Sequence, residues 1–441
     1  MSIPRYEAYK PTGVGSLPEV PLRWEATRLR FAAKFNPSKS AVSHLAPSVS
    51  VTFLPMEAIG EDGTIELGTE RMISDVKEGY SYFRDGDVAF AKITPCFENG
   101  KGALMRGLAN GIGFGTTELI VARPNAGMAA PEFLFYIFAS AWFRNLGESR
   151  MYGAGGQKRI PEEFARDFVA ALPGTDEQAV IAAFLDRETA KIDELVEEQR
   201  RLIALLDEKR QAVISHAVTK GLNPDAPMKA SGLDWLGAVP DHWRATRLRV
   251  LFRQAKRQDQ SDLPVLSVYR DFGVIRKDSR DDNYNKTPED LSKYQLVNPG
   301  DLVVNKMKAW QGSLGISPHE GITSPDYLVF LPTHRENDSY LHWLLRSSVL
   351  VSVYRGISNG IRLAQWRLEP DPFLDLRICI PALEEQMEIA AFVDRQEKQS
   401  GALIEEAERA IALLLERRAA LITAAVTGQI DVRALAPTEA P

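Results

Sequence analysis

Each half of this 441-residue chain gathers side chains that bond nucleobase edges and phosphates. In the first half they are Lys92, Thr94, Asn99 and Lys101, followed by Gln157, Lys158 and Arg159. In the second they are Lys306, Lys308, Trp310 and Gln311, followed by Asn359, Arg362, Gln365 and Arg367. Arg and Lys donate to the acceptors of guanine, Asn and Gln bond adenine through two atoms, and all of them reach phosphate oxygens. Any one of these residues is ordinary on a protein surface. Their clustering beside glycine-rich stretches, twice, is the signal.

Other chemistry is missing from the sequence. "ENGKG" places Lys101 in a glycine context, but it lacks the preceding glycine and the following Ser or Thr of a phosphate-cradling loop. "GAGG" at Gly153 stands outside the strand-helix-strand context of a dinucleotide site. "DPF" at Asp371 lacks the second proline of the tetrapeptide that holds an adenine or cytosine for methyl transfer. The six histidines form no HExxH, and two cysteines are too few for a thiolate zinc site or a disulfide framework. The expectation is a chain without catalysis, metal or cofactor of its own.

The elements that must position these residues come as a repeat. "WEATRLR" (Trp24 to Arg30) returns as "WRATRLR" (Trp243 to Arg249), and the 22-residue stretch from Tyr9 aligns without a gap on that from Met228. A second stretch, Leu172 to Thr219, aligns on Ile380 to Thr427, with Glu177-Gln178 falling on Glu385-Gln386. Between them the halves diverge, leaving echoes such as "DGDVAFAKITP" from Asp85 against "PGDLVVNKMKA" from Pro299. Like ends around unlike middles describe a common mount for two versions of one task.

Past Pro173 and Pro381 the chain is proline-free and rich in strong helix formers. Leu195, Gln199, Leu202, Leu206, Lys209 and Val213 follow a four-three spacing, and Leu403, Ala407, Ala410, Leu414, Arg417 and Leu421 repeat it. That spacing predicts a coiled-coil seam between two helices of one chain. The middles, 24–172 and 243–380, mix strand-length apolar runs such as "LIVAR" and "YLVFLP" with helical patterns such as "PEFLFYIFASAWFRNL". The fold class is therefore α+β: two mixed α/β domains separated by two long helices that pair as a coiled coil, with a pseudo-two-fold internal repeat.

Bulk composition sets limits. A net charge of −6 argues mildly against nucleic acid. The second middle is less acidic: from Asp241 to Pro372 there are 19 Lys and Arg against 16 Asp and Glu, and from Trp24 to Leu172 there are 16 against 17. A DNA binder of this charge would share its phosphate contacts with a more basic partner. No apolar run approaches the roughly 20 residues that span a bilayer, and the first ten residues lack a signal-peptide core, so a cytoplasmic location without membrane contact is expected.

With these residues assembled, the chain resembles the specificity subunits of type I restriction–modification systems along nearly its whole length. The resemblance rests on "SGLDWLGAVPDHW" and its degenerate first copy "TGVGSLPEVPLRW", on "GDVAFAKITP", and on "GQKRI" leading to "LPGTDEQAVIAAFLDRETAKIDEL". It rests also on "IPALEEQMEIAAFVD" and "RRAALITAAVTGQIDV". The first copy departs from the family wording at Ser16, where the second half has Trp235. The resemblance implies a lead-in segment 1–23, a target recognition domain 24–172 and a central conserved helix 173–221. It then implies a linker and second lead-in 222–242, a second recognition domain 243–380, a C-terminal conserved helix 381–430 and a flexible tail 431–441. It implies that each domain reads one half of a bipartite, asymmetric site on double-stranded DNA. The helices would form an antiparallel coiled coil that sets the spacer and docks two copies of an adenine-N6 methyltransferase subunit, and a translocating endonuclease subunit can join. The alternatives are a duplicated coiled-coil scaffold that does not bind DNA and an enzyme whose site the motifs do not reveal.

Overall fold

The computed structural model describes residues 3–154, 156–280, 287–360 and 366–435; Arg362 and Gln365 lie outside them. The repeated phrase shows how each half is built. Trp24 and Trp243 are fully buried. The residues after them form the strands Glu25–Arg28 and Arg244–Arg247. These pair antiparallel with Val169–Leu172 and Arg377–Ile380, so the start of each middle is tied to its end. One-turn helices follow, Leu29–Ala32 and Leu248–Leu251, with Leu29 and Leu248 buried. Ahead of the phrase, each half carries an antiparallel hairpin, Tyr9–Val14 with Leu17–Pro21 and Met228–Ala230 with Ala238–Pro240.

The divergent middles share one sheet. In the first, Ala33–Phe35, Leu119–Pro124, Val88–Ala91 and Gly102–Leu104 lie side by side in that order; in the second, Phe252–Ala255, Tyr327–Pro332, Leu302–Asn305 and Leu314–Ile316 do. All neighbours in both are antiparallel. The first middle adds a four-stranded mixed sheet, in which Ser50–Leu54 and Ile112–Gly115 run parallel. In both halves a glycine with positive φ, Gly86 or Gly300, turns the chain just before a buried Asp87 or Asp301. Arg123 grips Asp87 with two bonds of 2.7 Å, and Arg257 pairs with Asp301.

Each expected helical pattern splits at a serine, into Pro131–Ala139 and Ala141–Glu148 in the first half and Asp338–Arg346 and Ser348–Ile357 in the second. Ser140 and Ser347 leave helical geometry and accept the amides of Phe143 and Leu350, capping the next helix. The long helices run from Thr175 to Lys220 and from Leu383 to Val426.

Two compact units emerge, one of residues 1–199 with 409–441 and the other of residues 200–408. Each holds one middle, the beginning of one long helix and the end of the other, so the helices pair antiparallel. Arg418 donates to Asp193 at 2.9 Å in the first unit, and Arg210 lies 3.5 Å from Glu397 in the second. In the first unit the two chain ends also meet, the Asp431 amide donating to the Pro4 carbonyl at 2.7 Å and the Tyr9 hydroxyl to Gly428 at 2.9 Å.

The helix stripe corrects the expected seam. Leu195, Leu202 and Leu403 are exposed, as are Lys209 and Arg417. The sheltered positions are Ile192, Val196, Gln199, Ile203, Leu206, Arg210 and Val213, matched by Ser400, Ile404, Ala407, Ile411, Leu414, Arg418 and Leu421. Gln199, Leu206, Ala407 and Leu414 keep their expected places, and Ala410 is half-buried beside the stripe. The cause lies at the helix start, where buried Gln178, Leu185, Thr189 and Ile192 pin the rotational phase. The three-four spacing then carries that phase onward, past the apolar neighbours Leu195 and Leu202.

The pin itself is polar. Gln178 donates to the Met128 and Pro173 carbonyls at 2.9 Å each and accepts the Ala130 amide at 2.7 Å. Gln386 donates to the Pro381 carbonyl and to Glu336 and accepts the Asn337 amide. Beside them Glu177 accepts the Trp24 indole and the Tyr6 hydroxyl, and Glu385 accepts the Trp243 indole. Gln178→Leu strands three backbone groups, the Pro173 carbonyl buried and the Met128 carbonyl and Ala130 amide partly so, and is expected to cost about 2–4 kcal/mol, at about 1–3 kcal/mol for a buried unsatisfied group and less for the others, measured as a fall in the urea midpoint.

In the second unit His342 accepts a bond from Arg346 Nη1 at 2.7 Å and faces the Ile316 carbonyl through Nδ1 at 3.3 Å. Burial, and then the Arg346 charge, push its pKa from 6.5 down to about 3. Between those values the unfolded chain binds a proton that the folded one refuses. This contribution to stability is therefore present above pH 6.5 and lost as pH falls towards 3, by up to about 1.4 kcal/mol per pH unit. His342→Gln should flatten that part of the stability–pH profile.

Candidate nucleic-acid interface

The polar clusters lie at one end of an inner strand of the matching sheet in each unit. In the first, the strand Val88–Ala91 runs on into Lys92, whose amide bonds Glu118 and whose carbonyl accepts the Ile160 amide at 2.9 Å. Thr94 donates its amide and its hydroxyl to the Lys158 carbonyl, at 2.9 and 3.3 Å. Tyr152 and Arg159 exchange backbone bonds, closing a hairpin whose tip carries Gly153, Gln157 and Lys158. A Cβ on Gly153 would stand 2.6 Å from the Gln157 carbonyl, so only glycine lets this tip close.

The tip presents Gln157 and Lys158, both exposed and without side-chain partners among the described residues. Arg159 is occupied: its Nε and Nη2 bond the two oxygens of Glu118 at 3.0 and 2.7 Å. Those bonds hold the Glu118 carboxyl below its ordinary range. Asn99 donates to Glu61 at 2.8 Å and Lys101 to the Met56 carbonyl at 3.2 Å, so both also serve the domain's own loops.

The second unit repeats the mount with different side chains. Lys306 follows the strand Leu302–Asn305, and its carbonyl accepts the Leu368 amide at 2.9 Å, as Lys92 does with Ile160. Burial, and then the nearby Arg367, lower the pKa of Lys306, which donates to the Pro325 carbonyl at 3.0 Å. Asn305 accepts the amides of Met307 and Lys308 and bends the chain into the turn Ala309–Gln311. Lys308 and Gln311 are exposed there. Asn359 pairs across two short strands with Arg367, which lies 3.4 Å from Glu369.

Three residues at these strand ends escaped the sequence reading. Tyr152 stands beside the first tip and is 63% exposed, the most exposed large aromatic among the described residues. Trp366 meets the ring of Trp310 at 5.5 Å, and the Arg355 guanidinium lies 5.9 Å from that same ring. Edge-to-face tryptophans with a guanidinium beside them offer faces on which bases or sugars can rest. "QWRL" around Trp366 holds the only hint, an aromatic between polar residues.

The two strand ends are therefore alike in backbone and different in reach. One offers a polar hairpin tip beside a tyrosine, the other a lysine-bearing turn beside paired tryptophans. Arg159→Ala is expected to lower the melting temperature by removing a two-point bond, and Lys158→Ala to leave it unchanged. Thermal denaturation of the two variants checks this division between supporting and free side chains.

Comparison with known proteins followed the same lines. No family model matches the chain. The specificity subunit of the type I restriction enzyme EcoAI of Escherichia coli is 41% identical over 187 residues, which is 42% of this chain and 31% of that subunit. The specificity subunit of EcoEI, from the same organism, is 36% identical over 189 residues, with the same coverage. The match thus spans about a third of the length of these curated relatives. Among solved structures, the HsdS subunit of Thermoanaerobacter tengcongensis shares the fold with a TM-score of 0.53 and 20% identity, over 93% of this chain and 98% of that one. A chain from a study of complex assembly and conformational transition in the type I R-M system gives a TM-score of 0.64 at 21% identity, over 92% and 98%.

Proposed function

We propose, from the premise that this chain is a relative of the type I restriction specificity subunits, that it is the DNA-reading member of such a complex. Each middle reads one half of a bipartite, asymmetric site, and catalysis resides on other chains. The observation that carries this reading is the matched mounting of two unlike strand ends. Lys92 bonded to Ile160 and Lys306 bonded to Leu368 occupy the same place in the same sheet, yet the side chains around them differ. A duplicated mount with one reader would gain nothing from divergence at these strand ends alone. Two readers of different half-sites would.

In this reading the long helices have two tasks. At 46 and 44 residues they are rigid elements several tens of ångströms long, suited to holding half-sites roughly one helical turn apart or more. Their repeated outer faces offer near-equivalent seats to two copies of an adenine-N6 methyltransferase subunit, each of which flips one adenine out of the duplex. A translocating endonuclease subunit completes a restricting form. The charge balance fits such sharing, because the partners would supply much of the phosphate contact.

The test is a map of N6-methyladenine across the host genome. Loss of this gene should erase a split motif. Exchange of residues 24–172 for the first middle of a relative should rewrite one half of that motif and leave the other half intact. Changes in both halves, or in neither, would sink the modular reading. Lengthening the central helix by whole heptads should alter the spacer alone; an unchanged spacer would remove the ruler from the model.

A further inference from the structure

A cleft of about 160 Å³ opens in the second unit between the central helix, the helices Asp338–Arg346 and Ser348–Ile357, and the turn that carries Gln311. It offers over ten times the room that one water needs. Arg210, Arg270 and Arg346 line it, with Ser348 and Gln311. Two carboxylates share the lining, but each already faces an arginine: Glu397 lies 3.5 Å from Arg210, and Asp271 lies 3.9 Å from Arg270.

Among the described residues Arg346 makes no ion pair within 4 Å; the charges of Glu397 and Asp271 favour its cationic form only at a distance and are outweighed by burial. Nη1 bonds the neutral ring of His342 and Nη2 the Arg270 carbonyl, both at 2.7 Å, while Nε is buried with no partner. A largely buried guanidinium held only by neutral acceptors is costly unless an anion completes it. Its pKa, pushed down by burial to about 10, registers that cost.

The first unit supplies an internal comparison. Arg418 stands where Arg210 does, and Tyr136 donates to Asp186 at 2.6 Å as Trp343 donates to Asp394 at 3.1 Å. At the position of Arg346, however, that unit has Ala139. Its cleft is lined by Asp62, Glu132, Asp186 and Asp193 around Arg106 and Arg418, and Arg418 is neutralised by Asp193 at 2.9 Å. The positive cleft therefore belongs to the second half and not to the repeated mount.

We propose that the Arg210–Arg270–Arg346 cleft seats a phosphate group, supplied by the DNA backbone beside the half-site that Gln311 approaches. The seat stands on the geometry alone; the backbone as its source rests on the DNA-reading function proposed above. Phosphate would give Arg346 its missing anion and accept from the Arg210 guanidinium and the Ser348 hydroxyl. It would thereby anchor the second reader independently of base identity.

The experiment compares the full chain with Arg346→Gln, Arg210→Gln and, as a control, Arg418→Gln. Melting temperatures are measured with and without inorganic phosphate, and affinity for a random-sequence duplex is followed against salt. Phosphate should stabilise the wild type and Arg418→Gln and fail to stabilise the other two. The slope of log affinity against log salt should shrink by about 0.9 for the loss of one phosphate contact in Arg346→Gln and Arg210→Gln. If Arg346→Gln does not fold, Arg210→Gln carries the comparison, since Arg210 is only partly sheltered in the stripe and its ion pairs, 3.3 Å to Asp207 and 3.5 Å to Glu397, are long. Equal stabilisation of all four proteins would overturn the seat. Selective stabilisation with unchanged salt slopes would overturn the backbone as the source. A wild type that binds phosphate but no duplex would overturn the DNA-reading function while leaving the seat standing.

Discussion

Two neighbouring residues at the start of each long helix, Glu177-Gln178 and Glu385-Gln386, hold the rest of the architecture in place. A helix start leaves backbone groups unsatisfied, and so do the loops beside it. The glutamines meet the loop groups on one side and the proline carbonyl that precedes the helix on the other. The glutamates receive the indoles of Trp24 and Trp243, which lie at the heart of each core. The glutamines and tryptophans are buried and the glutamates and loop groups partly so, and a helix rotated or shifted by one residue would leave several of them unpaired at once. Stripe, sheet and domain closure all follow from that single fixed phase.

The consequence along the helices is a stripe that tolerates polar residues. Arg210 and Arg418 occupy equivalent positions in it, and each answers a carboxylate on the partnering helix, Glu397 or Asp193. A purely apolar seam would bind more strongly but would accept several registers. Charged pairs at matched places favour one antiparallel alignment over its neighbours. The exposed leucines, Leu195, Leu202, Leu205, Leu403 and Leu413, then lie on outward faces.

Duplication also explains what varies. The sheet order is kept in both middles because the strands that open and close each domain are fixed by the phrase around Trp24 and Trp243. Strand ends and clefts carry no such constraint. The hairpin tip around Lys158, the tryptophan pair at Trp310 and Trp366, and the opposite charges of the two clefts are differences laid over one frame.

Much of this was legible in the sequence. The repeat and the two long helices follow from local pattern and from alignment of the chain on itself. The shared sheet order was not legible, because strand neighbours are set by long-range pairing that short apolar runs do not encode. Nor was the seam register, since Leu195-Val196 and Leu202-Ile203 offer two phases of equal hydrophobicity. Arg159 and Arg346 look alike as letters, and only their surroundings separate them. Glu118 neutralises the first, while the second is buried among neutral acceptors. Composition and spacing thus determined that two unlike middles stand on one repeated mount. Which side chains remain free to bind was decided by tertiary contacts, because a charge spent on its own domain has none left for a ligand.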